Sequence, residues 1–378
     1  MKLIHLSDLH IGKRVNEFSM AEDQTYILNE ILNIIEIQQP DGVLMAGDIY
    51  DKSIPSLEAV EIFDRFLVSL SRKKLPVFII SGNHDSAQRL AFASRIMENS
   101  GVYVAPAYQG AVEPISLEDE WGKVNIYLLP FVKPVQVRAL FPELEIATYT
   151  DAVAAAIDRM EIDPEERNLL VTHQFVTGAK PCDSEELTAG GTDNVDARVF
   201  DVFDYVALGH LHSPQTAGKE TIRYCGTPLK YSFSEAGHQK SVTIVELGKK
   251  GSVTLGTVPL VPKRDMKKIR GTYMELTAKR FYQNLNQEDY FHVTLTDEED
   301  VPEAIGRLRA VYPNLMRLEY DNIRTRSSGA LPVERPLQSQ SPMELFADFY
   351  EARNNQELNQ EQRRYLSKLI ETIWEEEQ

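Results

Sequence analysis

A chain of 378 residues has room for two or three domains of ordinary size, which excludes a peptide, a disulfide mini-scaffold or a fibrous repeat. Hydrophobic residues make up 43% and charged residues 26%, the balance of an ordinary water-soluble globular protein. The net charge of −17 repels polyanions at long range, so a phosphate-bearing substrate requires help from bound cations or from a basic partner.

The opening Lys2 to Leu6 reads as a short apolar strand, and Gln24 to Gln38 as a helix with Tyr26, Ile27, Ile31, Ile34 and Ile35 on one stripe. The alternation continues with a strand over Gly42 to Ala46, a helix over Leu57 to Arg72, a strand over Val77 to Ser81 and a helix over Ala87 to Ser100. Ile62, Phe63 and Phe66 on the second helix suit either a dimer interface or a core. Further strands are predicted at Val124 to Leu129, Leu169 to Thr172, Tyr205 to Leu208, Ile222 to Cys225 and Ser241 to Val245, with a helix over Thr150 to Met160. This alternation predicts a layered α/β domain over residues 1–262.

PKRDMKKIRG, from Pro262 to Gly271, breaks the acidic trend and reads as a connector. Beyond it, strands at Tyr273 to Thr277, Tyr290 to Leu295 and Leu315 to Tyr320 and a helix at Val301 to Tyr312 predict a small α+β unit over 272–323. Residues 324–341, rich in Ser, Pro and Gln, have the composition of a flexible tether. Ser341, Pro342 and Glu344 form a helix-start signature, and Tyr365, Leu366, Leu369, Ile370, Ile373 and Trp374 give the tail, 342–378, an amphipathic stripe suited to a partner. No apolar run approaches the roughly 18 residues a membrane helix needs, and the N-terminus lacks a signal-peptide core, so a cytoplasmic protein is expected. Cys182 and Cys225 are too few for a disulfide framework or a thiolate cluster.

Five segments place His, Asp or Asn at the C-terminal ends of predicted strands, where open α/β sheets hold their ligands. They are Ser7-Asp8-Leu9-His10, Gly47-Asp48-Ile49-Tyr50-Asp51, Gly82-Asn83-His84-Asp85, Thr172-His173 and Gly209-His210-Leu211-His212. Each alone is a weak signal, but together they hold five of the eight histidines. Mixed imidazole, carboxylate and amide donors suit Mn, Fe or Zn better than Mg. Two ions need a bridging ligand, and Asp48, directly after a strand, is the natural carboxylate. Asp8, His10 and one of His210 and His212 would complete one site; Asn83, His173 and the other would complete the second. His84 is then left to move a proton. His5, His238 and His292 lack such neighbours and read as structural.

This set of motifs resembles the calcineurin-like metallophosphoesterases, with D-x-H, G-D-x-x-D, G-N-H-[DE], a lone His and G-H-x-H all intact. More narrowly, HLSDLHIGK, AGDIYDKSIPS, SGNHDSAQRL, THQFVTGA, YVALGHLHSPQ and YCGTPLKYSFSEAGHQKSV resemble the SbcD family of bacterial double-strand-break-repair nuclease subunits. The resemblance implies a sandwich of two mixed β-sheets flanked by helices, a capping domain and C-terminal helices that dock on the SbcC ATPase. It implies two metal ions, expected to be Mn, one held by Asp8, His10, Asp48 and His212 and the other by Asp48, Asn83, His173 and His210. It makes His84 the proton donor to the leaving oxygen, with Asp85 orienting its imidazole. The implied reaction is hydrolysis of DNA phosphodiesters, as 3′-to-5′ exonuclease on duplex ends and endonuclease on single strands and hairpins. The implied assembly has two SbcC and two SbcD chains, on DNA at the nucleoid. Lys13, Arg14 and Arg89 lie near the motifs and are expected to touch DNA phosphates. Rival readings keep the fold but change the substrate to a small phosphodiester or a phosphoprotein, or discard catalysis for a scaffold. Against them, Asp51 is followed by Lys52-Ser53 where protein phosphatases have Arg-Gly, and no ligand of the motif set is missing.

Overall fold

The structure, a computed structural model, describes residues 1–180, 182–184, 194–323, 325, 343, 346, 347, 350 and 358–376. Contacts divide the chain into two units, Met1–Met266 and Lys267–Gln378.

The first unit is built on two six-stranded mixed sheets. One runs, in spatial order, Val253–Pro259, Ser241–Leu247, Lys2–Leu6, Gly42–Ala46, Val77–Ile80 and Val102–Val104. Its last four strands are parallel, and Ser241–Leu247 joins Lys2–Leu6 antiparallel, pairing Ile4 with Ile244. The other runs Gln215–Ala217, Lys219–Tyr224, Tyr205–Gly209, Arg167–His173, Gly122–Leu129 and Ile115–Asp119, parallel in its centre and antiparallel at both edges. Parallel strands are covered on both faces, so they read as unbroken apolar runs: GVLMA and VFII are buried throughout.

Between the sheets, Leu3, Leu44, Phe78 and Ile80 meet Ile126, Leu128, Leu169, Val171 and Tyr205. A second core has Tyr127, Leu170, Val206 and Leu208 of the second sheet packed with Val153, Ala156 and Ile157 of the Tyr149–Ile157 helix. Each such side chain, fully buried, is worth about 1.5–3 kcal/mol. The helices Ala21–Gln38 and Leu57–Arg72 pack on each other and bury Ile27, Ile31, Ile35, Ile62, Phe63 and Phe66. The last three are therefore core residues of this chain. Ser56 starts the second of these helices by accepting the Ala59 N–H on its hydroxyl, and Thr148 with Asp151 forms a capping box before Tyr149.

Three expectations are corrected. The helix over Ala87 to Ser100 is broken into Ala87–Leu90, Ser94–Met97 and a 3-10 turn Glu98–Ser100, because Ala93 takes a left-handed φ of 61° that no α-helix continues through. The supposed connector contains a strand, Met266–Gly271, that pairs with Tyr290–Leu295 in the three-stranded sheet completed by Leu315–Tyr320. Tyr273–Leu276 is helical where a strand was expected, since Thr272 and Glu275 cap it reciprocally. The second unit's core gathers Leu276, Phe291, Val293, Leu308 and Tyr312. The expected tether lies outside the described residues apart from Thr325, as does the helix start at Ser341 and Pro342. A helix does span Gln360–Glu376, with Tyr365 and Leu369 exposed. Among the described residues no helix is long and apolar enough to cross a membrane.

Candidate metal centre

Five parallel strands, three from the first sheet and two from the second, deliver every motif to one place. Lys2–Leu6 leads to Asp8 and His10, Gly42–Ala46 to Asp48, Val77–Ile80 to Asn83, His84 and Asp85, Arg167–His173 ends on His173, and Tyr205–Gly209 leads to His210 and His212. Main-chain bonds hold the first two loops together: Asp8 N–H donates to Gly47 O at 3.0 Å and His10 N–H to Asp48 O at 2.9 Å.

The loops turn sharply enough that four non-glycine site residues take left-handed backbone, with φ of 53° at Asp8, 44° at His10, 50° at Asp48 and 103° at His210. Each such conformation costs of the order of 1–3 kcal/mol and persists only where the surroundings impose it. The glycines of the motifs provide room: a Cβ on Gly82 would lie 2.1 Å from Asp48 Oδ1, and one on Gly209 would lie 1.8 Å from Ala46 O.

The seven expected ligands converge as two overlapping groups around Asp48. On one side the Nε2 atoms of His10 and His212 face each other at 3.1 Å, His10 Nε2 is 3.6 Å from Asp48 Oδ2, and donor atoms of Asp8, His10 and His212 lie within 4.8 Å of one another. On the other, His173 Nε2 is 3.3 Å from Asp48 Oδ2 and 3.0 Å from Asn83 Oδ1, and His210 Nδ1 is 3.0 Å from the same Asn83 oxygen. Asp8 and Asp48 are 0% and 2% exposed, a placement unfavourable for carboxylates unless cations answer them.

Electrostatics agree with that. Burial, seconded by the charge of Asp48, raises the Asp8 carboxyl to about 7, against the pull of His173, the Ser7 hydroxyl and the His210 N–H. Burial also works against ionised Asp48, but His173, His10 and His84 overcome it and hold its carboxyl well below the usual range. Burial pushes His173 down while Asp48 lifts it further, to about 9, whereas burial holds His10 and His212 low. A buried, crowded set of N and O donors with two carboxylates is the chemistry of a site for two divalent transition-metal ions, and the residues present fit them.

His84 sits at the rim of this cluster, its Nε2 4.0 Å from Asp48 Oδ2 and its N–H donated to Asp48 Oδ1 at 3.0 Å. Asp85 does not orient it. The Asp85 carboxylate is consumed by three main-chain N–H groups, Ile49, Tyr50 and Gly82, at 2.9–3.0 Å, and so splices the third loop to the second. The His84 ring instead meets the Asp51 carbonyl through Nδ1 at 3.2 Å. Of the expected DNA contacts, Lys13 is tied to Asp51 at 2.7 Å, while Arg14 and Arg89 are exposed. Among the described residues, His5, His238 and His292 belong to none of the groups that could hold an ion; His5 is buried against the Tyr205 hydroxyl at 2.8 Å and the Leu208 carbonyl.

Sequence reasoning missed the supports. Ser7 donates its hydroxyl to Asp8 Oδ2, and Tyr231 donates to Leu9 O at 2.5 Å while its ring stands edge-on to His10 with centroids 5.8 Å apart. Ser7 adjoins a motif residue, and Tyr231 lies in the YCGTPLKYSFSEAGHQKSV segment, but no spacing ties it to His10, 221 residues earlier in the chain.

Comparison with known proteins places the chain in a family. The calcineurin-like phosphoesterase family matches residues 1–214, and the SbcD_C family, described as the type 5 capsule protein repressor C-terminal domain, matches residues 262–354. The SbcD chain of the SbcCD nuclease of Staphylococcus epidermidis is 33% identical over 381 residues, covering 100% of both chains. Solved structures similar to this chain include a dimetal phosphatase from Danio rerio, at 10% identity over 69% of this chain and 96% of that one with a TM-score of 0.42. Yfce, a phosphoesterase from E. coli, aligns at 12% identity over 69% of this chain and 100% of its own, with a TM-score of 0.28. A full-length relative at one-third identity, together with a family match over more than half of the chain, establishes that this chain belongs to the calcineurin-like phosphoesterases and, within them, to the SbcD nucleases.

Proposed function

We propose that the chain hydrolyses DNA phosphodiesters as the nuclease subunit of a complex with the SbcC ATPase, acting 3′ to 5′ on duplex ends and endonucleolytically on single strands and hairpins. The single observation that carries this reading is the convergence of six donor residues around Asp48 in a chain that shares its whole length with a nuclease subunit. Asp8, His10, Asp48 and His212 would hold one Mn ion, and Asp48, Asn83, His173 and His210 the other. Two divalent ions supply Lewis acidity at the phosphoryl oxygens and make water a usable nucleophile near neutral pH.

The chain's own residues do the rest. Asp48 bridges the two groups and fixes their separation. His84, at the mouth of the cluster, gives its Nε2 proton to the departing deoxyribose oxygen as the P–O bond breaks and water adds to phosphorus. Asp85 holds the loop that carries His84. Residues 272–323 serve as a cap, 324–341 as a tether, and the helices of 342–378 as the SbcC anchor; two such chains with two SbcC chains would form the working particle on DNA in the cytoplasm. This role places the protein in DNA repair, recombination and replication.

The test is cleavage of 3′-labelled duplex, hairpin and single-stranded DNA with added Mn, beside bis-p-nitrophenyl phosphate. DNA cleavage that Asp48→Ala abolishes, with the fold retained, is the expected result. Turnover of the small ester alone, with or without SbcC, would make the protein a phosphodiesterase of another substrate class.

A further inference from the structure

Behind His212 lies a buried ion pair that the hydrolytic reading does not use. Glu235 is 0% exposed and Lys240 3%, and their charges meet at 2.5 Å. Replacing such a pair by apolar residues is often neutral or stabilising, so its presence calls for a purpose other than stability.

Counting protons along its hydrogen bonds supplies one. The Lys240 ammonium has three donors and three acceptors: Glu235 Oε2, Thr227 Oγ1 at 2.7 Å and the His212 carbonyl at 2.7 Å. Thr227 gives its own proton to Leu229 O at 2.6 Å and so accepts from Lys240. Glu235, paired with a cation, only accepts, and its Oε1 receives the Tyr231 N–H at 3.1 Å and the Ser184 hydroxyl at 2.7 Å. Ser184 has one proton, and Glu235 takes it. The Ser184 oxygen also lies 2.7 Å from His212 Nδ1, so in that contact the imidazole must be the donor. His212 is therefore the Nδ1–H tautomer, and Nε2, which faces His10 Nε2 at 3.1 Å, keeps its lone pair free to serve as a ligand.

We propose that Ser184, Glu235 and Lys240 are positioning residues that fix the tautomer and aim of His212. Lys240 clamps its main chain, and Ser184, oriented by Glu235, clamps its ring. The relay rests on the reading of His212 as a metal ligand, and it deepens that reading by naming what prepares the ligand. Thr227, Glu235 and Lys240 all lie in the stretch CGTPLKYSFSEAGHQKS, which contributes no ligand of its own.

The test uses the full chain as wild type, Ser184→Ala and Ser184→Thr. Nitrogen-15 NMR of the metal-free proteins should show His212 as Nδ1–H in wild type and Ser184→Thr, and as a tautomer mixture in Ser184→Ala. Titration calorimetry with Mn should show two sites in wild type, with one of them weakened about 10–100-fold in Ser184→Ala and restored by Thr. An Nε2–H tautomer in wild type, or unchanged tautomer and Mn affinity in Ser184→Ala, overturns the relay. Wild type binding fewer than two ions would instead defeat the metal-site reading, and the NMR result would still decide the relay.

Discussion

Gly82→Ala is the sharpest probe of the site because one methyl group is aimed at Asp48, the residue proposed to bridge the two ions. The Cβ would stand 2.1 Å from Asp48 Oδ1, 2.6 Å from its backbone nitrogen and 2.7 Å from its Cγ. Ordinary contact begins near 3.4 Å, so the carboxylate or the loop must retreat by about 1.3 Å. Overpacking of this kind costs about 1–3 kcal/mol, and at roughly 2–4 °C per kcal/mol the melting temperature should fall by roughly 2–12 °C. Catalysis should suffer more than stability, since a misplacement of about 1 Å costs about 100-fold. Gly237→Ala, where the methyl would meet nothing within 4 Å, is the matched control and should stay within about 0.5 kcal/mol of wild type. The assay is bound Mn per chain by elemental analysis, the thermal midpoint and the rate on bis-p-nitrophenyl phosphate. A Gly82→Ala protein that keeps two ions and turns over within about threefold of wild type would refute the crowding argument.

Four further outcomes are expected. Replacing His84 by Asn should slow hydrolysis by about 100- to 10,000-fold while both ions stay bound; loss of an ion on elemental analysis would make it a ligand. Asp85→Asn removes one of two acceptor oxygens shared by three backbone donors and should cost about 1–3 kcal/mol in denaturant unfolding, with unchanged stability counting against the splicing role. Arg167, buried and bonded to Asp119 and to the carbonyls of Gly122, Lys123 and Gly248, holds the Asp119 carboxyl below its ordinary range. A depressed carboxyl stabilises the fold above its unfolded value, near pH 4, and the benefit fades as pH falls; Arg167→Met strips three carbonyls of their donor but leaves the N-terminal ammonium on Asp119, so it should lose about 1–3 kcal/mol at pH 7 and progressively less toward pH 2, by urea midpoints at each pH. Deleting residues 342–378 should leave cleavage of short DNA intact and weaken co-purification with SbcC, and undiminished co-purification would remove the anchor role from the tail.

How much of this was legible beforehand follows from where each signal lives. The gathering of the candidate ligands could be read because parallel strands impose a rule: unbroken apolar runs such as GVLMA end in polar residues on the same edge of the sheet. Asp85 was misassigned because sequence adjacency to His84 suggests a side-chain partner, whereas the chain folds its carboxylate back onto three amides. Ser184, Glu235 and Lys240 carry no periodicity and meet only in three dimensions, 28 residues or more from His212 in the case of Ser184 and Lys240. The basic run before Gly271 reads as a connector on charge alone because its buried positions, Met266 and Ile269, do not follow the two-residue period of a strand; pairing with Tyr290–Leu295 makes it one. Ala93 could not be foreseen as a break, since alanine ordinarily favours helix.

The first strand of the protein sits inside its sheet, with Gly42–Ala46 on one side and Ser241–Leu247 on the other. During synthesis, Lys2–Leu6 waits for a neighbour that is encoded some 240 residues later, and at 5–20 residues per second that delay is roughly 10–50 s. The ligand set likewise remains incomplete until His212 has left the ribosome. A growing chain thus lacks the full set of candidate ligands until the strand that leads to His212 has emerged.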